Sequence, residues 1–228
     1  MAASMSHPTP QAASTRLTGR DVLQMLLFTL LIKPFLTLFI GLRVRGRAHL
    51  PATDPFIVVA NHSSHLDTLA LLSLFPLTRL RRIHPVAAAD YFQRNRLISA
   101  ITRTACNILP IARRDITEDN DPIPRMIACL QAGQSLLLFP EGTRGSGAAM
   151  GPFRSGIARV LEQMPEVPVV PAYLVNMGRS LPKGECIPVP FFCEVRLGEA
   201  RQLRGSRQEM VQALEQAVRA LADVAPAS

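Results

Sequence analysis

The chain has 228 residues, 48% of them hydrophobic and 5% aromatic, with 25 Lys+Arg against 17 Asp+Glu and a formal net charge of +8. That length buries one sizeable core and suits one domain, or one domain with an appendage. Sparse aromatics and no Trp argue against nucleic acid, whose binders stack bases on rings; an oily, basic chain points to a membrane surface, a coenzyme A pyrophosphate or an acidic carrier protein.

Residues 1–20 are rich in Ala, Ser, Thr and Pro without an apolar period, and read as a flexible leader. An apolar run from Val22 to Leu42 follows, interrupted at Lys33 and Pro34. Proline lacks an amide hydrogen and disfavours helix in the residue before it, so the helix is expected to break there. The pieces, Val22–Ile32 and Pro34–Leu42, would be roughly 16 Å and 13 Å long, too short to cross a hydrocarbon core of about 30 Å. Arg16 and Arg20 lie before the run, and Arg43, Arg45 and Arg47 after it, which draws both flanks to the cytoplasmic side. The reading is a helical hairpin over residues 21–44, embedded in one leaflet, with Lys33 snorkelling toward headgroups. A buried helix pair, a kinked single span and a signal peptide compete with it, the last weakened by the lack of a cleavage site.

From residue 51 short apolar runs alternate with longer amphipathic ones. Strands are expected at Phe56–Ala60, Pro85–Ala89, Ile108–Ala112, Ser135–Phe139, Val167–Tyr173 and Phe191–Leu197, from their apolar, β-branched character. Helices are expected at Asp67–Phe75, Tyr91–Ala105, Ile123–Ala132 and Phe153–Met164, and from Arg207 onward. Gly133 marks the end of the third, and Ser206 with Glu209 forms a capping box for the last. This alternation predicts an α/β domain over residues 45–228, with a largely parallel sheet flanked by helices. Cys106, Cys129, Cys186 and Cys193 show no CxxC pair and read as reduced, ordinary residues.

Two segments carry chemistry, each directly after an expected strand. The first is Asn61-His62-Ser63-Ser64-His65-Leu66-Asp67. On a continuous helix His62 and Asp67 would sit roughly 140° apart. They meet only if His62 lies in a turn and Asp67 in the first helical turn, with Ser63 or Ser64 as N-cap. Asp67 would then orient the imidazole, making His62 a general base for a hydroxyl. Backbone amides at Ser63 and Ser64, at a helix N-terminus, suit a tetrahedral oxyanion. Metal binding by His62, His65 and Asp67 competes, but no further cluster has ligand spacing, so no metal is expected. The second segment is Phe139-Pro140-Glu141-Gly142-Thr143-Arg144. It offers a carboxylate for sugar or glycerol hydroxyls, amides freed by glycine, and a guanidinium for phosphate.

The His, four residues, Asp arrangement, followed some eighty residues on by Phe-Pro-Glu-Gly-Thr-Arg, resembles the glycerolipid acyltransferase family of the lysophosphatidate acyltransferase type. Ile108–Arg114 resembles the family's second block, in which an arginine contacts the acceptor's phosphate, a position that Arg113 occupies. Pro152, Phe153, Arg154 and Gly156 resemble the segment after the third block, and Val167–Pro171 the fourth. The chain departs from the family at Asn107, where glycine is common, and at Ala112, where an acidic residue often precedes the arginine; Arg114 therefore stays open beside Arg113.

The resemblance implies direct acyl transfer from acyl-CoA or acyl carrier protein, as co-substrate rather than cofactor, to a lysolipid hydroxyl. His62 and Asp67 would be catalytic. Arg113, Glu141, Gly142, Thr143 and Arg144 would hold the acceptor. 1-Acylglycerol-3-phosphate is the expected acceptor, with another lysophospholipid, glycerol 3-phosphate and a lyso-aminolipid as alternatives, on a membrane's cytoplasmic face. A serine hydrolase would need a Gly-x-Ser-x-Gly elbow, which is missing. A non-catalytic lipid-binding protein would need no base.

Overall fold

A computed structural model describes residues 17–88, 106–112, 116–117, 120–145, 150–182, 185 and 187–224. Helix α1 spans Gly19–Leu27 and continues without a break to Phe39. It is followed by β1 (Arg43–Arg45), β2 (Ile57–Ala60), α2 (Leu66–Ser73), β3 (Ile83–Ala88), β4 (Leu109–Ile111), α3 (Pro122–Gln131), β5 (Ser135–Leu138), α4 (Gly156–Gln163), β6 (Val169–Val175), a one-turn α5 (Met177–Ser180), β7 (Glu194–Leu197) and α6 (Arg207–Ala222).

The sheet order is β1-β7-β6-β2-β5-β3-β4. All neighbours are parallel except β6 and β7, so the expected α/β class with a largely parallel sheet holds. The central strands are buried throughout, as helices on both faces require. Because side chains alternate across a strand, Val58 and Ala60 of β2 enter one core with α1 and α2. Ile57 and Val59 enter a second core with α3, α4 and α6. β6, β2 and β5 lie side by side and parallel, so their C-terminal ends open on one edge of the sheet.

The capping box of Ser206 and Glu209 opens α6 as expected. Gly133, at φ +71°, closes α3: its amide bonds Leu130 O, and that of Gln134 bonds Cys129 O, the 5→2 and 6→1 pair of a Schellman motif. β1 was not expected, since Arg-Val-Arg is too short and charged to show a strand period; it pairs with β7. There Arg45 ion-pairs with Glu194, and buried Arg196 bonds the carbonyls of Leu221 and Ala222 at the end of α6. The arginines that read as a free basic flank are thus partly engaged in the fold. The helix expected at Tyr91–Ala105 lies outside the described residues.

The expected hairpin over residues 21–44 is not formed. One helix runs from Gly19 to Phe39, and Pro34 sits inside it between two π-helical segments, Phe28–Ile32 and Phe35–Phe39. The i→i+5 bonds of a π segment widen the turn, giving the proline ring room. The amide of Lys33 accordingly bonds Phe28 O, and that of Ile40 bonds Phe35 O. π turns also rotate less per residue, offsetting the drift of an α-helix. The buried positions therefore recur every fourth residue, at Gln24, Phe28, Ile32, Leu36 and Ile40, as one straight stripe on the domain. Lys33 does not snorkel. Its Nζ bonds Phe75 O at 3.4 Å and Arg47 Nη2 bonds Leu74 O at 2.7 Å, two cations just past the C-terminus of α2, where the helix dipole favours them.

Burial along this stripe makes a measurable distinction. Phe28 is fully buried while Leu38 is 86% exposed. In a denaturation titration in mild detergent, Phe28→Ala is expected to lower unfolding free energy by about 3–5 kcal/mol and Leu38→Ala by less than about 0.5 kcal/mol; equal effects would show that the helix does not pack on the domain as described.

Candidate active site

β2 ends at Ala60, and the Asn61 side chain continues its pairing with β6: Nδ2 donates to Leu174 O at 3.1 Å and Oδ1 accepts from the Leu174 amide at 2.7 Å. This pins the start of the His62 turn. The chain then leaves the strand, and α2 begins at Leu66. His62 Nδ1 meets Asp67 Oδ2 at 2.8 Å, as the spacing required. With Nδ1–H donated to the carboxylate, the neutral ring keeps Nε2 as its basic nitrogen.

The same Asp67 oxygen accepts the amides of Ser63 at 2.7 Å and Ser64 at 2.9 Å. Asp67 therefore caps its own helix backwards, from the first turn onto the residues preceding it. Of the two serines expected to cap the helix, Ser64 does so: its Oγ accepts from the amide of Leu66, the first helical residue, and donates to Leu181 O. The amides expected to serve a tetrahedral oxyanion are consumed by the carboxylate, which corrects that expectation. Their donor capacity instead holds a fully buried anion, whose burial without such partners would be costly.

The second turn closes on the first. Gly145 N donates to His62 O at 2.9 Å. The Phe139 ring stacks on the imidazole at 4.2 Å with planes 19° apart, fixing its tilt. Glu141 is buried, and its two oxygens accept one backbone amide each, from His62 and from Gly151, both at 2.8 Å. The carboxylate expected to meet an acceptor hydroxyl is thus a clamp between the His62 turn and the loop at Gly151. Gly142 has φ +72°, and a Cβ there would press on the Arg154 side chain at 2.9 Å, so this turn position favours glycine on both counts. Thr143 is exposed and Arg144 half-buried. Arg113 and Arg114 lie outside the described residues.

His65 and Arg144 complete the electrostatics. Burial lowers the His65 pKa from 6.5 to about 4, reinforced by Arg144 and His62, so His65 is neutral near pH 7. Burial pulls Arg144 below the usual guanidinium range, and the Asp67 carboxylate opposes that. Among the described residues no group of three or more His, Cys, Asp or Glu side chains is arranged to hold a metal. Cys106 and Cys129 are buried, with thiols pushed up to about 12.

His62 and Glu141 line an open cleft of about 120 Å³, whose far wall carries Tyr173, Asn176 and Arg179 from the end of β6 and α5. Sequence reasoning missed that wall, and it placed Asn61 and Phe139 in the two chemical segments without giving either a role. A polar residue ending an apolar strand, and an aromatic starting the Pro-Glu-Gly turn, are the only signals it had for the last two.

A family model described as "Acyltransferase" matches residues 41–175, more than half of the chain and inclusive of both turns. The chain belongs to the acyltransferase family. Its relatives include the 1-acyl-sn-glycerol-3-phosphate acyltransferase alpha of Mus musculus, 31% identical over 210 residues, a match covering 88% of this chain and 69% of the mouse protein. Another is the 1-acyl-sn-glycerol-3-phosphate acyltransferase of Bacillus subtilis, 30% identical over 142 residues, covering 62% of this chain and 66% of the other. The crystal structure of the 1-acyl-sn-glycerophosphate acyltransferase of Thermotoga maritima shares the fold, with a TM-score of 0.71, 22% identity, and coverage of 92% of this acyltransferase and 83% of that chain.

Two outcomes test this geometry. Glu141→Gln replaces one acceptor oxygen by an N–H facing an amide N–H; it is expected to lower stability by about 1–3 kcal/mol in denaturation without any substrate, whereas a carboxylate that only met substrate would leave it unchanged. Unfolded His65 takes a proton near pH 6.5 and folded His65 only near 4, so stability falls as pH drops through that window and is unaffected above it. His65→Gln is expected to flatten the loss, measured as denaturation midpoints across that pH range; an unchanged slope would exclude His65 as its source.

Proposed function

We propose that this acyltransferase moves a fatty acyl chain from an acyl thioester, acyl-CoA or acyl carrier protein, to the free hydroxyl of a lysolipid. 1-Acylglycerol-3-phosphate, which would give phosphatidate, is the favoured acceptor because the relatives' names specify it. The observation that carries the mechanism is the 2.8 Å contact between His62 Nδ1 and Asp67 beside a cleft. His62 Nε2 takes the acceptor hydroxyl's proton as its oxygen attacks the thioester carbonyl. The tetrahedral intermediate collapses to the ester, and the departing sulfur takes the proton back from His62. Asp67 holds the tautomer and stabilises the transient imidazolium, while the Phe139 ring and the Glu141 clamp hold the imidazole against the cleft. Arg144, with Gly142 and Thr143 in the same turn, binds the acceptor's phosphate, and Arg113 is proposed for the same task.

We also propose that Gly19–Phe39 lies in one leaflet on the cytoplasmic side. The helix is long and apolar enough to cross a membrane, yet its buried stripe is occupied by the domain along its length, so a perpendicular span would require that packing to separate. The opposite face exposes Leu23, Leu26, Leu30, Leu31 and Leu38. Its hydroxyls need no water: Thr29 donates to Met25 O and Thr37 to Lys33 O, as groups facing hydrocarbon must.

In a mass-spectrometric assay over lysolipid acceptors and both donor types, His62→Ala is expected to lose about 10²- to 10⁴-fold in turnover while still folding. Asp67→Asn keeps an oxygen for the three donors but removes the charge, and should lose a comparable factor. Arg144→Ala should raise the acceptor's KM more than the donor's. Wild-type turnover by His62→Ala would sink the mechanism, and a change confined to donor kinetics would reassign Arg144.

A further inference from the structure

Between α5 and β7 the chain exposes a second apolar surface. Ile187 is 80% and Phe192 75% exposed, with Val189 and Phe191 partly so. Isolated exposed apolar residues are ordinary, whereas a contiguous patch marks an interaction surface. This patch meets the chain just past the N-terminal helix: the Phe192 ring lies against Gly41, where a Cβ would meet it at 2.8 Å, shortly after exposed Leu38 and Phe39.

We infer that Ile187–Phe192 is a second membrane-inserting element, which joins the outer face of α1 in one docking surface for an anionic bilayer and sets the rim of the cleft at headgroup level. The inference rests on the reading of Gly19–Phe39 as a leaflet-embedded helix. Three observations carry it. The first is continuity with that helix, just described. The second is backbone chemistry suited to an apolar medium. Pro188 and Pro190 have no amide hydrogen; Val189 exchanges bonds with Ser180, accepting from its Oγ and donating to its carbonyl, both at 2.7 Å. The Phe191 amide bonds Val189 O, and Phe192 O accepts from Asn176 Nδ2 at 3.1 Å. The third is charge: Arg43 lies over the Phe192 ring at 5.7 Å and Arg179 over Phe191 at 5.0 Å, placing cations beside the inserted rings where lipid phosphates would lie.

The segment is fastened to the cleft. Ser180, Asn176 and Arg179 belong to or cap α5, and Asn176 and Arg179 line the cavity that holds His62. Seating the rings below the headgroups therefore brings that wall to the level at which a lysolipid presents its hydroxyl, so the acceptor need not leave the interface.

The chain contains no Trp, so Phe192→Trp places a single indole reporter in the segment, and Leu38→Trp places one on the helix. Each full chain is reconstituted into vesicles of phosphatidylcholine and phosphatidylglycerol. Both indoles are expected to be quenched by lipids brominated on the acyl chain and shielded from acrylamide. If only Leu38→Trp is quenched by bromine, the second element is refuted and the helix reading survives. If neither is quenched, the helix reading itself fails. Shielding of Phe192→Trp without bromine quenching, with a dimer in sedimentation, would assign the patch to a second copy and overturn the inference. As an independent measure, Ile187→Ser with Phe192→Ser is expected to raise the apparent KM for vesicle-presented acceptor about tenfold while turnover in mixed micelles is retained; an unchanged vesicle KM also overturns it.

Discussion

One oxygen of one buried carboxylate organises this site. Asp67 Oδ2 takes the His62 ring N–H and the amides of Ser63 and Ser64, so a single anion defines both the turn that carries the imidazole and the orientation of the ring. The arrangement requires α2 to start where it does. Were the helix to begin a turn earlier, His62 and Asp67 would point apart by roughly 140°. Asn61 prevents this by extending the β2 and β6 ladder one step past the strand, leaving the chain no slack to coil before Ser64.

The other half of the site acts as a brace. Phe139 and Glu141 sit on the neighbouring parallel strand's exit, and the register of β2 against β5, with Val59 beside Leu138, brings them level with His62. Glu141 accepts two amides from separate segments and so performs for the backbone what Asp67 performs for the ring. In both, a carboxylate recognisable in sequence as reactive acts by satisfying backbone donors, a role for which side-chain type alone gives no sign.

That distinction separates what was legible in the sequence from what was not. The apolar runs at Phe56–Ala60 and Ser135–Phe139 showed their strands plainly, to within a residue at one end, because strands buried on both faces need unbroken hydrophobicity. The His62 and Asp67 contact followed from spacing and a turn. By contrast, the hairpin failed at Pro34 because a helix in apolar surroundings has a remedy that local rules omit, the π segment. Lys33 was misread for a related reason: its partner, the Phe75 carbonyl, is 42 residues away. The wall formed by Asn176 and Arg179 was equally invisible, since only the tertiary fold sets the end of β6 beside the end of β2.

The two cations beyond the C-terminus of α2 make the N-terminal helix something other than a tether. α2 is a rod of eight residues. Asp67 lies in its first turn, and Lys33 and Arg47 lie against the carbonyls just past its last. Shearing off the oily N-terminus to obtain a tractable soluble enzyme would strip away Lys33 and lay bare Phe75 and its neighbours, loosening from behind the element on which the imidazole is aimed. The N-terminal helix and the His62 turn are one mechanical part, and a chimera that grafts this sheet onto a foreign N-terminal helix would have to supply a replacement for that lysine as well as for the apolar stripe.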